Sequence, residues 1–285
     1  MSNKKAKPTS SRAKTKASEA SRRERLAAQR EAEQKRQRRN TLIGGIVAGV
    51  LALAVIAVVA VVVIQNQTAK REQAEREAAA QIAPPNAIGE DAILANPDTG
   101  ANAQYTLNLY VDYQCGVCKQ TEEIYGETWK ALMDEGFLKL EVHTMTFMDD
   151  QPSLNNDHSR RVAVGAACAD TRGKYWEFHN AAFNRQGEGQ LYTDSAMDGQ
   201  IAQDAGLEGA DFDAWKTCYD DNATAQFVDK VNENAGRNGV TSTPTIMVNG
   251  KNPQVEGDGR MTDWWRVLDA NTDAWKKAIE DAANS

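Results

Sequence analysis

The run Tyr105-Thr-Leu-Asn-Leu-Tyr-Val-Asp-Tyr-Gln-Cys-Gly-Val-Cys118 decides how this chain is read. Residues 106–111 are largely apolar and β-favouring and predict a buried strand. Residues 118–135 predict a helix, with Ile124, Leu132 and Met133 among its apolar positions and Gly136 just past its end. Leu138, Leu140, Val142 and Thr144 alternate with their neighbours, so a second strand follows. The order is β-α-β, and Cys115 falls where strand gives way to helix. Unpaired N–H groups and the helix dipole favour a thiolate at that point. On these four residues alone Cys-x-x-Cys fits a redox pair, half a zinc site or a small structural disulfide.

Downstream, residues 151–237 carry no strand signal and predict helices at about 157–171, 174–184, 194–205, 211–219 and 223–234. Strand character returns at residues 245–248, followed by the hairpin turn Asn249-Gly250 and by an extended segment at 253–255. Two helical segments, about 262–268 and 272–283, complete the chain. The expected architecture is therefore a β-α-β half and a β-β-α half, with a helical block inserted between them.

Upstream the composition splits abruptly. Residues 1–40 hold 14 Lys and Arg against 4 Asp and Glu, while the chain as a whole has a net charge of −7. Between the basic tail and the acidic remainder lie residues 42–64, 23 uncharged positions of Leu, Ile, Val, Ala and Gly. At about 1.5 Å per residue such a helix crosses a hydrocarbon core of about 30 Å. It is longer than the apolar core of a cleaved signal peptide and lies far behind a long basic start. The expectation is a single transmembrane anchor with the tail, residues 1–41, disordered in the cytoplasm and everything after Gln65 outside. The tail reads as a topology signal with some attraction to anionic lipid, and nucleic acid is not expected as a partner. Residues 65–100 then read as a juxtamembrane helix and spacer, broken at Ala83-Pro-Pro-Asn86, and residues 101–285 as one domain.

Three runs carry a resemblance: Tyr110-Val-Asp-Tyr-Gln-Cys-Gly-Val-Cys118, Lys174-Tyr-Trp-Glu-Phe-His179 and Gly239-Val-Thr-Ser-Thr-Pro-Thr-Ile-Met-Val-Asn-Gly-Lys251. Together they resemble the thioredoxin-like, DsbA-type thiol–disulfide oxidoreductases of bacteria, in particular membrane-anchored extracytoplasmic members of actinobacterial type. The resemblance spans about residues 100–285. It implies a thioredoxin-like α/β fold with an inserted helical subdomain, and a cis Thr243–Pro244 bond in a loop facing Cys115. It further implies that Cys115 is the exposed nucleophile, Cys118 the buried resolving thiol, and the Thr243 backbone a platform for an extended substrate. The implied partners are reduced, unfolded secreted proteins and a membrane protein that reoxidises the pair, and no metal or other cofactor is implied.

The chain departs from that family pattern in three places. Gly116-Val117 stands where strongly oxidising members have Pro-His, which removes one thiolate-stabilising group. Leu109, six residues before Cys115, stands where thioredoxin-like proteins often bury an acid, and Asp112 is expected at the strand mouth instead. Thr243 before the proline, combined with Cys-Gly-x-Cys, also resembles disulfide isomerases. The enzymatic expectation is thus a dithiol oxidase, with an isomerase or reductase as the alternative and a non-catalytic thioredoxin-like binding module as the reading of another class.

The two remaining cysteines, Cys168 and Cys218, sit in predicted helices and make the cysteine count even. Outside the cytoplasm that favours a structural disulfide, the alternative being two free buried thiols that act as small apolar residues. His143, His158 and His179 lack metal-ligand spacing and read as structural or surface residues. The aromatics Tyr175, Trp176, Phe178, Trp264, Trp265 and Trp275 read as core.

Overall fold

The structure is a computed structural model that describes residues 80–284, except 155, 188–191 and 258, together with scattered residues between 30 and 67. The chain divides into two compact units, Met1–Glu72 and Gln73–Ser285. In the first unit the described residues 57–65 are helical, and Val58, Val61 and Ile64 among them are exposed. The expected transmembrane helix and juxtamembrane helix lie largely outside the described residues, as does the basic tail. Among the described residues no helix is long and apolar enough to cross a membrane.

In the second unit, strand β3 (Tyr105–Val111), helix α2 (Gly116–Asp134) and strand β4 (Leu138–Thr144) form the β-α-β unit, the two strands parallel and in register from Tyr105 opposite Leu138 to Val111 opposite Thr144. A parallel pair needs such a crossover, and α2 provides it. On one face of β3, Leu107, Leu109 and Val111 pack into the main core with Trp129 and Leu132 of α2. On the other face, Tyr110 joins Met145, Ala235 and Val240 in a smaller cluster. Burial on both faces is why β3 reads as an almost continuous apolar run rather than an alternating one.

Strand β5 (Thr245–Val248) pairs antiparallel to β3, with Tyr110 opposite Thr245. The sheet is completed on its far side by β1 (Ala87–Ile88) and β2 (Ala92–Leu94), giving the order β1-β2-β4-β3-β5. These last two strands correct the sequence reading, which gave residues 65–100 to helix and spacer. They are anchored by Asn86, whose backbone N–H and side-chain amide both donate to the buried Asp170 carboxylate at 2.8 Å. A short helix, α1 (Pro97–Gly100), links them to β3.

Five helical segments lie between β4 and the next strand: α3 (His158–Asp170), α4 (Tyr175–Arg185), α5 (residues 194–204), α6 (Gly209–Asp220) and α7 (Ala225–Arg237). The α5 segment is not one regular helix: a π-helical turn, Met197–Ile201, separates Asp194–Ala196 from Ala202–Asp204. Gly165 lets α3 come close to its neighbours, since a Cβ there would stand 2.5 Å from Met197 Cε and 3.0 Å from Phe178 Cζ. The Trp215 indole N–H donates to the Gly165 carbonyl at 2.9 Å. Cys168 of α3 and Cys218 of α6 are joined in a disulfide, with Cα atoms 5.8 Å apart.

The end of the chain differs from the sequence reading in two ways. Asn249 and Gly250 do form the turn, both at positive φ, but pairing back onto β5 stops at Lys251. Pro253 has no N–H to continue the ladder, and β6 (Gln254–Gly257) pairs instead with β7 (Arg260–Asp263). The segment predicted as helix over 262–268 is therefore the end of β7 and one 3₁₀ turn, Trp264–Val267. The last helix, α8 (Thr272–Asn284), packs Trp275 against Trp129 of α2, edge to face at 5.6 Å. Trp264, Trp265, Trp275, Tyr175 and Phe178 are all buried, as a core role requires.

Candidate active site

Cys115 is the N-cap of α2, in extended backbone conformation (φ −77°, ψ 112°), and Cys118 lies in the first helical turn. The turn that brings β3 into α2 is held at every residue. Cys115 N–H donates to the Asp112 carbonyl at 2.9 Å. The Asp112 carboxylate accepts from Gln114 N–H at 2.8 Å, the Ser159 hydroxyl at 2.6 Å and Met148 N–H at 3.1 Å. The Tyr113 carbonyl accepts from the Gln186 amide at 2.6 Å and the Tyr192 hydroxyl at 2.8 Å. Gln114 in turn bonds Asp149, Asn156 and Ser159. Such a network fixes the backbone under the cysteines before any ligand arrives.

Both thiols are free, and both are shielded from solvent: Cys115 is 9% exposed and Cys118 0%. Cys115 is thus less open than the sequence reading held. It sits under the loop before β5, where the Thr243–Pro244 bond is cis and the Thr243 carbonyl accepts from Cys115 Sγ at 3.5 Å. The structure therefore brings Cys115, Cys118, Thr243 and Pro244 together, and leaves Cys168 and Cys218 apart from them in the helical block.

The two thiols are driven in opposite directions. Cys115 is brought down to about 5, chiefly by the hydrogen bond its thiolate receives from Cys118, with further help from the Thr243 side chain and the N–H groups of Val117 and Cys118, against the opposing effect of burial. Burial is the main reason that Cys118 is pushed far up, and the adjacent Cys115 adds to it. The arrangement yields one ready nucleophile or leaving group and one thiol that holds its proton.

Because the folded pKa of Cys115 lies below its unfolded value, the thiolate stabilises the folded, reduced protein. That benefit is complete above about pH 8.5 and is lost as pH falls through about 5. Asp112, pushed up to about 6 mainly by burial, works the other way: it favours the folded state at low pH and that favour is lost as pH rises towards 6. It does so whatever the state of the cysteines, so it cancels in the comparison of redox forms. Reduced protein should accordingly gain stability over oxidised protein as pH rises from about 5 to about 8.5. Urea unfolding midpoints of both forms across that range check this, and a constant difference would contradict it.

Sequence reasoning missed two features. Asp112, the residue after β3, is at the strand mouth as expected but is fully buried beneath the turn. His179, read as an ordinary structural or surface residue, is buried in a chain that reaches the site: its Nδ1 meets the Tyr113 hydroxyl at 3.1 Å and its Nε2 meets Glu122 Oε1 at 3.2 Å. The signal for the first was its place three residues before Cys115. The second depends on a contact between α2 and α4 that no local pattern reveals.

A four-cysteine zinc site is incompatible with the Cys168–Cys218 disulfide, which takes two of the sulfurs it would need. Among the described residues no cluster of three or more His, Cys, Asp or Glu side chains could hold a metal ion.

The thioredoxin family model matches residues 100–270. A search of curated protein sequences gave no significant match. Among solved structures, reduced DsbA from Mycobacterium tuberculosis is 21% identical with a TM-score of 0.50, covering 68% of this chain and 93% of its own. Oxidised BdbD from Bacillus subtilis is 20% identical with a TM-score of 0.51, covering 73% of this chain and 100% of its own. At such identities the likeness is one of fold. With the family model spanning more than half of the sequence and a Cys-x-x-Cys pair at the head of α2 facing a cis-proline loop, the chain belongs to the thioredoxin family.

Proposed function

We propose that this protein is a thiol–disulfide oxidoreductase that acts outside the cytoplasm and donates its Cys115–Cys118 disulfide to reduced, unfolded secreted proteins. The observation that carries this reading is the opposed pair of thiols, one brought down to about 5 and the other pushed up, under the Thr243 carbonyl. A substrate thiolate attacks Cys115 Sγ, the Cys115–Cys118 bond breaks, and Cys118 leaves as a thiolate that takes up a proton. A second substrate thiolate then attacks the substrate sulfur of the mixed disulfide, and Cys115 leaves as a stabilised thiolate. The substrate is oxidised by two electrons and the enzyme reduced by two. A leaving group of low pKa departs faster and lies further downhill, which favours donation over reduction. The Thr243 backbone presents the substrate strand, with Pro244 shaping that loop.

The 23-residue apolar segment behind a basic tail supports a single-pass anchor in the cell membrane, N-terminus inside. A turnover cycle then requires a membrane partner that takes electrons from the dithiol. Nucleic acid has no place in this reading. The second enzymatic reading, a disulfide isomerase or reductase, is favoured by Thr243 before the proline and by Cys-Gly-x-Cys without Pro-His. Equilibration with glutathione buffers separates donation from reduction. A donor should have a potential well above that of thioredoxin, roughly −120 to −180 mV, while a value near about −270 mV would assign the reductase direction.

A further inference from the structure

A groove of about 310 Å³ runs between α2 and α4. Its α2 wall carries Lys119, Glu122, Gly126 and Lys130, and its α4 wall carries Trp176 and Asn180. Both lysines are already engaged. Lys119 Nζ donates to the carbonyls of Gln186 at 2.6 Å and Asn184 at 3.3 Å, and Lys130 Nζ to Asp134 at 2.6 Å. Glu122 differs. Its side chain is only 7% exposed, one oxygen bonds His179, and the other, Oε2, is buried with no partner.

That second oxygen lies beside Gly126, which also lines the groove: a Cβ built on Gly126 would stand 3.5 Å from it. Trp176 leaves a buried indole N–H without an acceptor, and its ring is held in place by stacking on His179 at 5.0 Å. A carboxylate oxygen that is shielded and unbonded is costly to keep, and a charge-assisted donor relieves that cost. Next to it stands an aromatic ring of fixed orientation, which favours a flat cation. Exposed Glu123 and Glu127 at the same wall add further negative charge.

We infer that the α2–α4 groove is a binding site for a basic side chain of another protein, an arginine guanidinium in the first place, with Glu122 Oε2 as its buried acceptor and Trp176 as its wall. This site shares no residue with the cysteine pair and does not depend on the proposed redox activity.

Titration calorimetry of the full-length chain with N-acetylarginine methylamide, and with the uncharged citrulline analogue, tests it. The arginine probe should bind saturably at one site per chain, and the citrulline probe at least tenfold more weakly. Glu122→Gln, which keeps the shape and removes the charge, should weaken the arginine probe at least tenfold. Gly126→Leu, which fills the groove and leaves the Glu122 carboxylate in place, should do the same, so the test survives if the first variant is poorly folded. The Cys115→Ser variant should bind like the wild type, which keeps the result independent of the redox reading. Absence of saturable binding, equal binding of citrulline, or retention of wild-type affinity in Gly126→Leu would overturn the proposal.

Discussion

In a Cys118→Ser variant at pH 7, Cys115 is expected to be almost wholly thiolate, with a midpoint near 5 in place of the usual value of about 8.5. The serine hydroxyl still donates to the sulfur, so the largest of the stabilising contacts is kept. In Cys118→Ala that donor is gone, and the midpoint should rise. Thr243 and the N–H groups of Val117 and Cys118 remain, so it should stay below the unperturbed range. Ultraviolet absorbance of the thiolate through a pH titration measures both. The contrast between the two variants also separates the Cys118 hydrogen bond from the dipole of α2, which both retain. A Cys118→Ser midpoint near about 8.5 would show that the helix N-terminus and its neighbours do not activate this sulfur.

The second large effect is on stability. The Cys168–Cys218 disulfide closes a loop across 50 positions and joins α3 to α6 through the middle of the helical block. In the chain-entropy account a loop of that length restrains the unfolded state by about 4 kcal/mol, and measured losses run from about 2 to 4 kcal/mol. Replacing both cysteines with alanine should therefore cost about 2–4 kcal/mol, or roughly 4–16 °C in Tm for a domain of this size. The potential of Cys115–Cys118 should be unchanged, because the bridge joins α3 to α6 and neither sulfur belongs to the β3–α2 turn. Calorimetric or urea unfolding of the variant measures the loss, and a change under about 0.5 kcal/mol would mean that the helical block holds without its bridge.

What could be read from the sequence followed local chemistry. Strand β3 and helix α2 announce themselves through an apolar run, helical spacing and Gly136, so the placement of Cys115 at their junction was legible. Thr243 and Pro244 were legible only through a matching motif, since they lie 128 positions or more from Cys115 and meet it through the pairing of β5 on β3. Strands β1 and β2, of two and three residues, are too short for any alternation, and they exist because β4 offers an edge and Asp170 holds Asn86. The π-helical turn at Met197–Ile201 packs Met197 against Gly165, a contact that no local pattern reveals. The bonds of Asp112 and His179 likewise reach to Ser159, Met148 and Glu122, on elements that sequence proximity does not connect.

The central claim is that Cys115 exchanges disulfides with unfolded protein substrates. Its most direct measurement is the refolding of reduced, unfolded ribonuclease by oxidised full-length protein, without any other oxidant, followed by recovered nuclease activity and by the thiols left on both proteins. The account predicts that each Cys115–Cys118 disulfide lost from the enzyme appears as one disulfide in the substrate. It also predicts that Cys115→Ser and Cys118→Ser, neither of which can form the pair, transfer none. Failure of the wild type to oxidise ribonuclease, or equal transfer by Cys115→Ser, would contradict it.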